Sequence, residues 1–189
     1  MLIAKQKRKE NIAEYVLYLW QLEDLLRALS FDGDNIYSTL VEPLQVDEAK
    51  KQEIFFWYVS IGNLLREEGK ELSGHMSHSI HLIRELNDVH LYLLKTGDEK
   101  YRALYAHAKP NIEAYRERSG EERANDIEIC FNALYAKLLL GLKNEKISDE
   151  TEEAFKTFSS LLAYLAAKFH RFENGEEAYL GKKSYKTVA

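Results

Sequence analysis

Between Glu10 and Leu29 apolar residues recur at helical spacing. With about 100° between successive residues, Ile12, Tyr15, Val16, Leu19, Leu22, Leu26 and Leu29 share one face. Tyr18 and Leu25 widen that face, while Glu14, Gln21 and Asp24 mark the opposite side. Two large apolar residues, Leu17 and Trp20, interrupt the polar side and sit three apart, hence side by side on a helix. A helix with a broad stripe and a second ridge needs several neighbours or a partner chain. The pattern predicts a central helix from the lysine-rich start to Leu29, with Leu17 and Trp20 as interface candidates.

The same periodicity continues after Phe31-Asp-Gly-Asp34 breaks this helix. Asp34 is placed to cap a short helix from Asn35 to Val41, limited by Pro43. Asp47 then caps a long helix to about Glu68, whose stripe is Ile54, Trp57, Tyr58, Ile61, Leu64 and Leu65. Gly62 weakens that helix relative to alanine, which points to a close backbone approach. Gly69 and Gly74 bracket a turn, and the next helix is expected from near His75 to Thr96, with Met76, Ile83, Leu86, His90, Leu93 and Leu94 inward.

Thr96-Gly-Asp-Glu99 resembles a capping start for a helix carrying Tyr101, Leu104, Tyr105, Ala108, Ile112 and Tyr115 in register across Pro110. The proline should kink or split it, because it removes a backbone hydrogen bond. Ser119-Gly-Glu-Glu122 matches a capping box and predicts a helix to about Lys143, with Ile127, Cys130, Phe131, Leu134 and Leu138 inward. Ser148 or Asp149 caps the last helix, whose stripe is Phe155, Phe158, Leu162, Leu165, Ala166, Phe169 and Phe172. No strand pattern, repeat or domain linker interrupts the series. Short connections favour antiparallel neighbours. The expectation is all-α: an antiparallel up-and-down helical bundle of about five long helices plus a short one, one helix kinked near Pro110. It forms a single domain over residues 1–174, with a loosely ordered C-terminal tail at 175–189.

Composition narrows the classes of function. The 189 residues are enough to bury a core without staples. A net charge of −5 disfavours general nucleic-acid binding, which phosphate neutralisation drives. Lys5, Lys7, Arg8 and Lys9 near one end and Lys182, Lys183 and Lys186 near the other lack the interleaved aromatics of a base-stacking surface, so solvated termini are expected. The single cysteine, Cys130, excludes an internal disulfide framework; on an apolar stripe it reads as an inert thiol. Glu10, Asn11 and Glu14 separate the basic start from the apolar run, unlike a signal peptide. No segment is long enough to span a membrane. The sequence therefore reads as a soluble, unprocessed, cytoplasmic protein.

Candidate chemistry is confined to one stretch. His75, His78 and His81 recur every third residue, with Glu85 beyond, and imidazole with carboxylate can hold zinc or iron. One helix face usually supplies two ligands, however, and the competing expectation is a solvated face. His90 sits mid-stripe beside Asn87, which makes the two pocket candidates. The competing reading of His90 is a core imidazole held by a tyrosine or a carbonyl. No serine nucleophile elbow, phosphate loop or Glu-x-x-His pair occurs.

Three stretches together, KENIAEYVLYLWQLEDLLRA, GHMSHSIHLIRELNDVHLYLL and IEICFNALYAKLLLGLKNEKISDETEEA, resemble an uncharacterised Bacteroidetes family of all-helical proteins, a domain of unknown function. The resemblance covers nearly the whole chain and implies a bacterial, cytoplasmic helical protein, with no residue role to carry over. The leading functional expectation is a non-enzymatic helical protein-interaction or regulatory module without a cofactor, acting through a protein partner or self-association. The alternative is a metal-binding bundle, or a metal-dependent enzyme, that uses the histidines of the 75–90 helix with a divalent metal such as zinc or iron.

Overall fold

The computed structural model describes residues 2–179, and these are all-α: eight α-helices, one π-helical turn and, among the described residues, no strand. Helix α1 spans Leu2–Glu10 and α2 spans Ile12–Ala28. The single helix expected here is divided at Asn11, whose side-chain oxygen accepts the Ala13 N–H at 3.0 Å and caps α2. The stripe of α2 goes inward as its periodicity requires: Ile12, Val16, Leu19, Leu22 and Leu26 are all buried. The chain leaves α2 through Ser30 and Phe31, both left-handed, with φ of 56° and 54°. The Phe31 N–H returns to the Leu26 carbonyl at 3.0 Å and satisfies an end carbonyl.

Helix α3 spans Gly33–Ile36 and continues into the π-helical turn Tyr37–Val41. Its cap is Asp32 rather than Asp34, since Asp32 Oδ1 accepts the Asn35 N–H at 2.9 Å. Helix α4, Glu48–Glu67, is capped by Asp47 as expected, through the Lys50 N–H at 2.8 Å. Gly62 also has its reason. A Cβ built there would lie 3.3 Å from Cδ1 of Phe31. The left-handed backbone at Phe31 turns its ring onto α4, and the Arg66 guanidinium covers that ring at 5.0 Å from the centroid.

Helix α5 spans Ser77–Thr96, α6 Glu99–Ser119, α7 Asp126–Leu142 and α8 Asp149–Glu173. Two starts differ from the sequence expectation. His75 and Met76 precede α5 instead of opening it. The Ser119–Glu122 capping box does not start α7; Gly120, at φ 72°, ends α6, and Asn125 caps α7 through the Glu128 N–H at 2.9 Å. Helix α6 is not split by Pro110 and runs unbroken through it. Asp98 and Ser148 cap α6 and α8.

Packing divides the described chain into two compact units, residues 2–10 with 14–82 and residues 11–13 with 83–179. In the first, Leu19, Leu22, Leu26, Ile36, Leu65 and Met76 form a buried cluster covered by Tyr15, Phe31, Trp57 and Tyr58 among others. In the second, α6, α7 and α8 pack against one another. Helices α6 and α8 run antiparallel: Asp98 pairs with Tyr164 and Lys168, and Asn111 with Thr157, so numbers fall on α8 as they rise on α6. The start of the expected loose tail is tethered, because Glu177 accepts from Lys168 and Arg171 at 2.9 Å each and Tyr92 donates to the Ala178 carbonyl at 3.2 Å. Residues 180–189, with Lys182, Lys183 and Lys186, lie outside the described residues. No described helix is long and apolar enough to cross a membrane.

Candidate functional site

In the first unit the polar groups converge on Glu23, which is 0% exposed. Its Oε2 accepts from His75 Nδ1 at 2.7 Å and its Oε1 from the Met76 N–H at 3.3 Å. Arg27, one turn along α2, places its guanidinium 4.0 Å from the same carboxylate. That guanidinium also donates to the carbonyls of Lys70 and Gly74 and to Asp24, tying α2 to the turn before α5. A buried carboxylate is costly unless every lone pair is answered. Here an imidazole, a backbone N–H and the positive end of the α5 dipole answer it.

Trp20 closes this cluster. Its indole stacks on the His75 ring with centroids 3.9 Å apart and planes 11° apart. Its Nε1 donates to Ser79 Oγ at 3.1 Å, and Ser79 in turn donates to the Met76 carbonyl at 2.9 Å. Trp20 is therefore not a surface ridge: it is 1% exposed, enclosed because the turn before α5 folds over it. Leu17 is half-buried. Glu23, Arg27 and Ser79 carried no role in the sequence reading. The signal was present, since Trp20, Glu23 and Arg27 follow at spacings of three and four on one side of α2.

The histidine series does not form a ligand set. His75 lies before α5 and turns to Glu23, His78 is exposed with Nε2 3.5 Å from the Tyr15 hydroxyl, and His81 is exposed. Glu85 is half-buried. Among the described residues no group of three His, Cys, Asp or Glu side chains is arranged to hold a metal ion. The regular spacing misled because His75 is outside the helix that would have aligned it with His78 and His81.

The second unit buries His90, 3% exposed, against α6. Tyr101 OH and His90 Nδ1 are 2.7 Å apart, and the Tyr105 and His90 rings pack edge to face with centroids 4.8 Å apart. Burial lowers the His90 pKa and raises that of Tyr101. Both groups are thus neutral, and one hydrogen bond joins the Tyr101 hydroxyl to Nδ1. Tyr105 OH donates to Asp126 Oδ2 at 2.5 Å, and Arg116 binds Asp126 Oδ1 at 2.5 Å. Burial alone would raise the Asp126 carboxyl, but these two bonds and the charges of Lys109 and Arg116 hold it below its ordinary value. Asn87 is half-buried on α5. Cys130 is enclosed, and burial pushes its thiol far up, which removes it as a nucleophile at neutral pH.

Beside this network, α6, α7 and α8 leave a cleft of about 400 Å³. Tyr115, Leu140, Phe155 and Phe158 wall it. Its space comes from alanines, one from each helix: Ala114, Ala136 and Ala154. Arg118 and Glu150 stand at its rim. The sequence reading missed this cleft, because an exposed or half-buried alanine on one helix gives no sign that alanines of two other helices line the same space.

Residues 1–176 match a family model described as "Domain of unknown function (DUF4924)". No curated protein and no solved structure matches the chain.

Proposed function

The chain belongs to this family of unknown function, whose description assigns chemistry to no residue, and from the geometry we propose that it is a non-enzymatic helical interaction module that pairs with a second copy of itself in the cytoplasm. The observation that carries this reading is the last turn of α7. Leu138, Leu139, Leu140 and Leu142 all keep solvent exposure there, and Leu142 is 72% exposed. Leucines so presented at a helix end form an apolar edge of the kind that marks interaction surfaces.

The flanking charges select a second copy as the occupant. Lys143 and Lys146 follow the leucines in the chain, and Asp149 and Glu150 come after them at the start of α8, so a basic and an acidic segment adjoin the edge in sequence. In a two-fold pairing each basic flank meets the partner's acidic flank, which is the self-complementarity an isologous interface requires. The polar clusters of both units meanwhile serve to join elements: Glu23 holds α2 to the start of α5, and Asp126 holds α7 to α6.

Light scattering coupled to gel filtration tests the reading. The native chain is expected to elute as a dimer, and the double substitution Leu139→Lys, Leu142→Lys as a monomer with unchanged helicity. A native monomer at high micromolar concentration overturns it.

A further inference from the structure

The α6–α7–α8 cleft carries an unused charge pattern. Arg118 and Glu150 both line it, and neither has a hydrogen-bond or ion-pair partner among the described residues. They stand at the same end. The antiparallel register that pairs Asp98 with Tyr164 and Asn111 with Thr157 continues to bring Arg118 opposite Glu150. Two opposite charges that line one end of a cleft without bonding each other leave a place for a ligand that carries both.

The interior fixes the rest of that ligand. Phe155 and Phe158 are buried aromatic walls, Leu140 lines one side, and the half-buried Ala136 and Ala154 leave room between them. The volume of about 400 Å³ lies in the range of small-molecule sites and fits one large apolar side chain with its polar head. The Tyr115 hydroxyl on the wall also has no hydrogen-bond partner among the described residues, so it can donate to a ligand oxygen.

We propose that this cleft binds an apolar α-amino acid as its zwitterion, with the carboxylate on Arg118, the ammonium on Glu150 and the side chain between Phe155, Phe158 and Leu140. An apolar acid lacking the amine would face the Glu150 carboxylate unanswered. An apolar amine would face Arg118 in the same way. Of the three, the amino acid answers both rim charges while burying an apolar group. The cleft is walled by residues of one chain, but Leu140 and Glu150 also stand at the edge proposed for self-association, so binding is read on the Leu139→Lys, Leu142→Lys chain as well as on the native one.

The test is an NMR titration of the full chain with L-phenylalanine, 3-phenylpropionate and phenethylamine, following resonances of the cleft residues. L-Phenylalanine is expected to bind saturably and more tightly than either analogue. Because both rim charges are exposed, each contributes about two- to fivefold in affinity. Arg118→Gln should therefore bring L-phenylalanine down to phenethylamine, and Glu150→Gln bring it down to 3-phenylpropionate. Ala154→Leu fills the cleft and should reduce binding more than tenfold; Ala114→Leu, from a second helix, should do the same if Ala154→Leu fails to fold. Equal affinity for all three probes overturns the zwitterion assignment in favour of a merely apolar cleft. Tighter binding of 3-phenylpropionate makes it a monocarboxylate site, and absence of saturable shifts overturns the site altogether.

Discussion

Trp20 and His75 lie face to face, 3.9 Å between ring centroids, although 55 positions separate them in the chain. The stack is held from below, because the same imidazole binds the buried carboxylate of Glu23 at 2.7 Å. One carboxylate thereby fixes the turn before α5, the first backbone N–H offered by that helix end and the covering of the α2 indole.

Glu23 should accordingly be a stability residue whose loss is felt throughout the first unit. Glu23→Gln keeps the shape but weakens bonds to a charged acceptor and is expected to cost about 1–3 kcal/mol. Glu23→Ala removes the acceptor of both His75 Nδ1 and the Met76 N–H and should cost about 3–5 kcal/mol. Both tryptophans, Trp20 and Trp57, lie in this unit, so urea unfolding followed by tryptophan fluorescence reports it directly. A Glu23→Gln midpoint indistinguishable from the native one would show that the buried carboxylate does not hold the turn.

Gly62 offers a test in which two principles predict opposite signs. Helix propensity alone favours replacing a mid-helix glycine with leucine, by about 0.8 kcal/mol. Packing opposes it: the added Cβ alone would come within 3.3 Å of Phe31, whose backbone is left-handed and whose ring is covered by Arg66. Gly62→Leu is expected to destabilise by about 1–3 kcal/mol as an overpacking change. A stabilised Gly62→Leu protein would show that the Phe31 ring yields freely.

The sequence was legible wherever a signal was local. Asp47 and Ser148 cap the helices they were expected to cap, and the stripe of α8 is buried at every position from Phe155 to Phe172 that the periodicity selected. The same logic failed at Ser119–Glu122, where the local match was good but Gly120 takes φ 72° and ends α6 instead. At Asn11 a cap was present in the text and overlooked, because the apolar stripe runs on past it. Non-local features were less legible still. The spacing of Trp20, Glu23 and Arg27 put them on one side of α2, but what they bind came from the distant chain between Lys70 and Met76 folding back on that helix. The α6–α7–α8 cleft depends on three alanines separated by long stretches of sequence. The histidine spacing was conspicuous, yet spacing implies a shared face only when every residue in the series belongs to one helix.

The His90–Tyr101 pair predicts how stability of the second unit depends on pH. Burial lowers the His90 pKa below its ordinary value of 6.5; Asp126 opposes this shift and Lys109 reinforces it. Between the two values the unfolded chain binds a proton that the folded chain refuses, so unfolding becomes easier as pH falls below 6.5. Below the folded value both states are protonated and this loss stops growing. Asp126 adds a second window lower down. Its folded pKa lies below the ordinary 3.8, so its contribution is complete above 3.8 and disappears as pH falls through the folded value. Both groups therefore make the unit less stable in acid, with His90 acting first. In His90→Gln the amide oxygen can still accept from Tyr101, but nothing titrates there. The decline in urea midpoint between pH 7.5 and pH 5, followed by tyrosine absorbance or amide exchange of α6, should be shallower in His90→Gln than in the native chain. The steeper decline below pH 4 should persist in His90→Gln and flatten in Asp126→Asn, which starts from a lower stability at neutral pH because Arg116 and Tyr105 lose a charged acceptor. Parallel curves for the native chain and His90→Gln between pH 7.5 and pH 5 would mean that the buried imidazole is not what senses pH in this unit.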